Sequence, residues 1–352
     1  MTDLRRPTRL LVGGYAGTDT PSAAVHGVAL DHDTGLLGSA EPVVDVPNAF
    51  HLTVSPSGRT VYAASNVADG QVHVLRLGAG GSVTRMATRS TEGAGPVHVA
   101  VHPAGRHLLV ANHDSGSVAV FEIGDDEIVG AVTDVVQHKG SGPNPMGQAG
   151  PHPHAVVPDP TGEWLLVPDK GDDHVHVYQL DVTTGKLVAQ GQYRVGSGVG
   201  PRALVFHPDG EHAYVVGELD NTITVCRWEA ETGTLSVLST VSTLPPNVQS
   251  WNAPSALVVS PDGRHVFVGN RGHESIAVLA VRPGGLDLVG HQQLGVPVTT
   301  LPWDLALDPA GDLLFAVNQL AGTLVTLRVD GASLETAGEP VAVPHPACIL
   351  LV

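Results

Sequence analysis

Basic residues, cysteines and aromatics are all scarce in this chain, and each shortage removes a class of function. Lys and Arg total 18 against 35 Asp and Glu, a formal net charge of −17 over 352 residues. So acidic a surface repels polyphosphates and anionic lipid, so no nucleic acid and no membrane is expected as a partner. A small anionic substrate stays open, provided its site supplies its own cations. The two cysteines, Cys226 and Cys348, make no disulfide framework and read as small core residues. No segment approaches the roughly 20 apolar residues of a membrane span. Arg5-Arg6 has the form of a twin-arginine export start, but Gly13, Gly14 and Gly17 interrupt the apolar run that should follow, so a cytoplasmic protein is expected.

Several chemical signatures are missing too. No Gly-x-Ser-x-Gly elbow occurs, which leaves a covalent serine mechanism without support. Gly196-Ser-Gly-Val-Gly200 resembles a nucleotide loop, yet it leads into a strand and offers no helix terminus to a phosphate. His152/His154 and His174/His176 have the His-x-His spacing that puts two side chains on one strand face. With 19 histidines in the chain such pairs arise by chance, and neither a metal nor another cofactor is expected.

Glycine and proline, by contrast, are abundant, at 42 and 27 residues, and they mark a repeat. Pro-x-Gly turns begin at Pro56, Pro103, Pro160, Pro208, Pro261 and Pro309, at intervals of 47, 57, 48, 53 and 48 residues, each between two apolar runs. A period near 50 in a strand-rich chain predicts a β-propeller. In the clearest unit, Ala203–Phe206 (strand a), Ala213–Gly217 (b), Thr222–Trp228 (c) and Leu235–Val241 (d) are separated by short turns. The chain ends supply a seventh unit. Residues 346–352 read as a strand a, Leu10–Tyr15 as strand b, Val25–Leu30 as c and Pro42–Val46 as d. The expectation is an all-β, seven-bladed propeller of four-stranded antiparallel blades, a single domain over 1–352, whose first blade is closed by strands from both termini and so leaves no open edge. The longest irregular stretch, Gln137 to Pro153, joins two blades as a candidate functional loop.

In such a blade the Pro-x-Gly turns lie on one face, and the starts of strand a and ends of strand b lie on the other. Six positions before each turn proline stand Phe50, Val97, His154, Arg202, Ser255 and Trp303. Eight after each turn glycine stand Asn66, His113, Lys170, Glu218, Arg271 and Gln319, with Tyr15 equivalent in the first unit. A repeat kept only for packing converges on one residue type; varied polar chemistry at equivalent positions predicts a binding site. His154, Arg202, Glu218 and Arg271 are the candidate catalytic set, combining a group that titrates near neutrality, an acid–base carboxylate and two bidentate anion holders.

The same residues carry a resemblance. Gly150-Pro-His-Pro-His154, Asp159-Pro-Thr-Gly162, Gly200-Pro-Arg202, Phe206-His-Pro-Asp-Gly210, Glu218-Leu-Asp220 and Asn270-Arg-Gly-His273 resemble motifs of the seven-bladed propeller lactonase family, which includes the propeller type of 6-phosphogluconolactonase and the fungal 3-carboxy-cis,cis-muconate lactonizing enzyme. The resemblance implies an active site of one His, two Arg and one Glu, falling on His154, Arg202, Arg271 and Glu218. The chain departs from it where Gly147, not Arg, precedes Gln148, and where Ser255-Ala256-Leu257 replaces Ala-Glu-Ile. The resemblance implies hydrolysis of a sugar lactone such as 6-phosphogluconolactone, with His154 as base and Arg202 and Arg271 as anion or oxyanion holders; register adds Tyr15, Asn66, His113, Lys170 and Gln319, and the motif adds Gln148, as candidate substrate-binding residues. A cycloisomerase that forms a lactone from an unsaturated dicarboxylate is open on the same residues, as is a noncatalytic binding propeller; oligomeric state is not legible.

Overall fold

The computed structural model describes residues 8–15, 24–248, 250–296 and 299–352; Arg5 and Arg6 lie outside them. Its strands form seven antiparallel sheets, six of four strands and one of five, which is the seven-bladed architecture the repeat predicts. Among the described residues the one helical element is the short turn Ala79–Gly81, and no helix is long and apolar enough to cross a membrane. The chain divides into two compact units. One is Phe50–Ser242, with the second to fifth blades in chain order; the other holds the chain up to Ala49 and from Thr243 on, with the first, sixth and seventh.

The Pro-x-Gly signal works locally as the sequence suggests. All six turn glycines take positive φ, from 72° at Gly58 to 81° at Gly311. Each donates its N–H to the carbonyl three residues earlier, as Gly162 does to Asp159 and Gly311 to Asp308. The residue before the turn proline adds a clasp. The side chains of Ser55, Asp159, Ser260 and Asp308 accept the first N–H of the returning strand, at Thr60, Trp164, His265 and Leu313.

Burial follows strand position. The second strands His107–Asn112, Trp164–Asp169 and Leu313–Asn318 are buried at every residue, because a and c flank them and neighbouring blades cover both faces. They are accordingly continuous apolar runs. The outer strands alternate, as Lys186–Arg194 and Thr234–Ser242 do, since one face meets solvent. Apolar side chains interleave between successive blades; in the Phe50–Ser242 unit Trp164, Leu166 and Val177 pack with Leu204, Val215 and Trp228. Both cysteines are buried and free.

The first blade places Arg9–Gly14 between Pro346–Leu351 and Ala24–Asp31, with Leu11 opposite Leu350 and the Val352 N–H on the Arg9 carbonyl. Its outer strand is Leu36–Asp45, longer than the expected Pro42–Val46, because it begins directly after the Gly35 turn. Two further blades depart from the regular pattern through proline and glycine. The fourth blade's inner strand shrinks to Val157–Pro158 plus a bridge between Pro153 and Asp169, as two prolines lack the donor a ladder needs. The seventh blade's outer strand splits into Ser333–Thr336 and Val341–Ala342 around Gly338 and Pro340.

Candidate active site

In five of the blades one local device fixes where the candidate side chains emerge. The residue just past strand b returns its N–H to the carbonyl of the residue before the strand-a proline: His113 to Gly95, Lys170 to His152, Glu218 to Gly200, Gln319 to Leu301 and Tyr15 to His345. Directly after that proline the ladder slips by one residue. Pro201 faces Gly217 but Ala203 faces Val216, leaving Arg202 in a β-bulge. The same slip leaves out Val97, Trp303 and Ala347. A bulge bends the strand and re-aims one side chain, and it does so here at the position singled out by register.

In the Phe50–Ser242 unit this geometry brings four polar side chains into one connected group. Arg202 Nη1 donates to His154 Nε2 at 2.5 Å and to Glu218 Oε2 at 2.9 Å. Lys170 Nζ donates to the other Glu218 oxygen, Oε1, at 3.3 Å. His154 and Arg202 are buried, at 7% and 6% exposure, so the pair is shielded from bulk water. A guanidinium has no acceptor, so His154 Nε2 bears its lone pair toward Arg202 and the proton of the neutral ring sits on Nδ1. Burial, then the charges of Arg202, His113 and Lys170, hold the His154 pKa well below the ordinary histidine value. At neutral pH this imidazole is uncharged.

The surroundings complete the group. His113 meets the His154 ring edge-on at 5.4 Å and stacks on His152 at 4.5 Å, while Phe50 lies 6.2 Å from His154. Burial also lowers the His113 pKa, opposed by its Nδ1–H bond of 2.8 Å to Asp114. His152 Nδ1 donates to the His113 carbonyl, so His152 and His154 use their nitrogens on different partners; His174 and His176 likewise both turn to Asp172. Neither His-x-His pair is arranged as a chelate.

Gln148 is fully buried, its amide nitrogen donating to the Lys170 carbonyl and to Asp173 Oδ1 and its oxygen accepting the Asn144 N–H. The Gln137–Pro153 stretch is thus pinned from within. His138, also buried, bonds Asp169 and Tyr178, and Asp169 in turn accepts the His152 and Gly171 N–H groups. Register reasoning did not single out Asp169 or Asp173; they stand in the charged run Asp169-Lys-Gly-Asp-Asp173, in which nothing marks the carboxylates that become buried. Asn66 is half-buried past the end of Thr60–Ser65.

Arg271 belongs to the other unit. It is buried there, its Nε and Nη2 donating to the carbonyls of Ala253 and Pro254 and its guanidinium carbon 4.6 Å above the Trp303 ring. Tyr15 meets the same indole edge-on at 6.5 Å, and Gln319 is half-buried beside the Leu301 carbonyl.

Comparison with known proteins agrees with this architecture. The family model described as lactonase, 7-bladed beta-propeller, matches residues 9–351. The 6-phosphogluconolactonase of Bacillus subtilis (strain 168) is 29% identical, over 96% of this chain and 97% of that protein. The periplasmic gluconolactonase of Pseudomonas aeruginosa has a similar structure, with a TM-score of 0.90 at 28% identity over 98% of both chains. A crystallised protein from Lactobacillus plantarum gives a TM-score of 0.89 at 30% identity, covering 97% of this chain and 98% of that one. The chain belongs to the seven-bladed β-propeller lactonase family.

Proposed function

We propose that this protein hydrolyses a sugar lactone of the gluconolactone type, 6-phosphogluconolactone being the first candidate, and that His154, Arg202, Glu218 and Lys170 do the chemistry. One observation carries the reading: a buried, uncharged imidazole whose only lone pair is capped by a guanidinium.

Lactone hydrolysis adds a water oxygen to the carbonyl carbon and breaks the ring C–O bond. The ring oxygen leaves as an alcohol, and the carbonyl becomes a carboxylic acid, which releases the second water proton to solvent as it ionises. The water must lose a proton as it attacks, and the ring oxygen must gain one as it leaves. While Arg202 donates to Nε2 that lone pair is occupied. A lactone carbonyl oxygen reaching Arg202 replaces the imidazole as its acceptor, and Nε2 is then free to take the water's proton. Arg202 holds the oxyanion as it forms, and the imidazolium returns the proton to the ring oxygen. Glu218 keeps Arg202 and Lys170 oriented, and Lys170 adds a second cation for an anionic substituent. Proton transfer at such a group is worth roughly 10²–10⁴-fold, and an oxyanion donor roughly 10²–10³-fold. Arg271 as a second anion holder, and Tyr15, Asn66, His113 and Gln319 as substrate contacts, rest on the register of the repeat. Gln148 is proposed to act through the loop it pins.

The test is ring opening of 6-phosphogluconolactone and glucono-δ-lactone, followed above their spontaneous rates by pH-stat, beside an unsaturated dicarboxylate followed by ultraviolet absorbance. Accelerated opening that falls at least a hundredfold in His154→Ala supports the reading. A folded wild-type protein that accelerates neither lactone overturns it, and conversion of the dicarboxylate alone assigns the cycloisomerase chemistry.

A further inference from the structure

The glycine-rich segment Gly196–Gly200 does bind an anion, and the anion is part of the same chain. Asp173, fully buried, accepts the Gly198 N–H on Oδ2 at 2.6 Å and the Gly200 N–H on Oδ1 at 2.9 Å. Oδ1 also accepts the Gln148 side-chain amide at 2.6 Å. The backbone amides that would cradle a phosphate elsewhere are filled by this carboxylate. Gly200 is the residue whose carbonyl accepts the Glu218 N–H, and it stands two before Arg202. One carboxylate therefore ties the loop that launches Arg202 to the residue that pins the Gln137–Pro153 stretch.

The backbone conformation argues that this is more than a filled space. Asp173 occupies the left-handed position of the turn between strands b and c, at φ 64°. Gly116 and Gly322, at φ 70° and 63°, hold that position in the third and seventh blades, and Asn221, at φ 63°, holds it in the fifth. At Gly116, Asp173 and Gly322 alike the carbonyl accepts a backbone N–H, from His138, Val195 and Val343 respectively. Asp is among the few residues with a side chain that tolerate this region, and here the turn aims its carboxylate at the Gly198 and Gly200 N–H groups. In the other unit Glu274, fully buried at φ 57°, repeats the arrangement, accepting N–H groups from Thr300 and Leu301, and Leu301 likewise stands two before Trp303.

We propose that Asp173 is a positioning residue: its carboxylate fills an amide nest in Gly196–Gly200 and thereby holds Arg202 against His154 and Glu218. The proposal builds on the lactonase reading but does not need it for its test. Asp173→Gly removes the carboxylate while relieving the backbone, so it should fold. Its kcat should fall at least tenfold with KM changed less than threefold, added formate should restore turnover saturably by refilling the nest, and Asp173→Glu should keep more activity than Asp173→Asn. Turnover of Asp173→Gly within twofold of wild type, or a loss that formate leaves untouched, would overturn it. Should the wild type open no lactone, a crystal structure of Asp173→Gly with and without formate decides: Arg202 displaced from His154 and returned by formate supports the proposal, and Arg202 unmoved without formate refutes it. Should Asp173→Gly fail to fold, the order of Asp173→Glu and Asp173→Asn decides, equal activities counting against it.

Discussion

Lowering the pH from 7.5 to 5 should destabilise this protein through histidines that stay uncharged in the fold, and His51 provides a clean handle on why. His51 stacks on His98 with ring centroids 4.1 Å apart, and its Nδ1 accepts the Val99 N–H at 3.3 Å. Burial pushes its pKa down to about 4, and the His98 pKa lies well below the ordinary value for the same reason, reinforced by His51. In the unfolded chain His51 titrates near 6.5. Between these values the unfolded state binds the extra proton, so stability is complete above pH 6.5 and drains as pH falls toward the folded pKa. At pH 5 the difference amounts to about 2 kcal/mol from His51 alone, of a limiting ~3.4 kcal/mol. His51→Asn keeps an acceptor for Val99 but cannot titrate. Urea unfolding at pH 7.5 and pH 5 should show the variant losing about 2 kcal/mol less than wild type across that interval. Identical losses in the two proteins would refute the claim that this half-buried ring stays uncharged in the folded state.

Three further outcomes follow from the geometry. Deleting residues 346–352 strips the inner strand from Arg9–Gly14, exposes that strand's ladder edge and removes the buried Ala347, Cys348 and Ile349; the loss should exceed the ~5–15 kcal/mol available, and a truncated chain with an unchanged thermal midpoint would contradict it. Arg202→Lys replaces a fork that serves both His154 and Glu218 with a point charge, so kcat/KM should drop about 10–100-fold at nearly constant stability, and a drop under threefold would argue against the fork. A Cβ on Gly171 would stand 1.9 Å from the Gly150 carbonyl oxygen and 2.7 Å from the His152 nitrogen. Gly171→Ala should therefore cost about 1–3 kcal/mol and displace the approach to His154, with activity falling further than the fraction folded; full activity would contradict that contact.

Much of the fold was legible because its signals are local. A Pro-x-Gly turn needs a fixed φ and then a positive one, and those two residue types advertise it wherever it occurs. The closure of the first blade was legible from residues 346–352 and Leu10–Tyr15, which are halves of a pattern repeated elsewhere. The register of the repeat put His154, Arg202 and Glu218 with Arg271 in one candidate set and Lys170 among the substrate contacts; the hydrogen bonds join His154, Arg202, Glu218 and Lys170, and Arg271 lies in the other unit. What was hidden depends on how strands meet. The bulge that turns Arg202 is a slip of pairing between Pro201 and Ala203 and leaves no mark on the residue itself. The roles of Asp169 and Asp173 lie in backbone N–H groups of other loops, to which a sequence gives no pointer. The short inner strand of the fourth blade was written in Pro153 and Pro158, but the regularity of the other blades masked it.

The account turns on His154 and Arg202 acting as one device, and a double-mutant cycle measures that directly. His154→Ala, Arg202→Ala and the double variant would be compared with wild type by kcat/KM on 6-phosphogluconolactone, each with its folded fraction established by circular dichroism. The double variant should be little worse than either single one, a coupling of at least tenfold, or ~1.4 kcal/mol. Losses that multiply, or a His154→Ala protein that turns over like wild type, would show that this buried pair is not the catalyst.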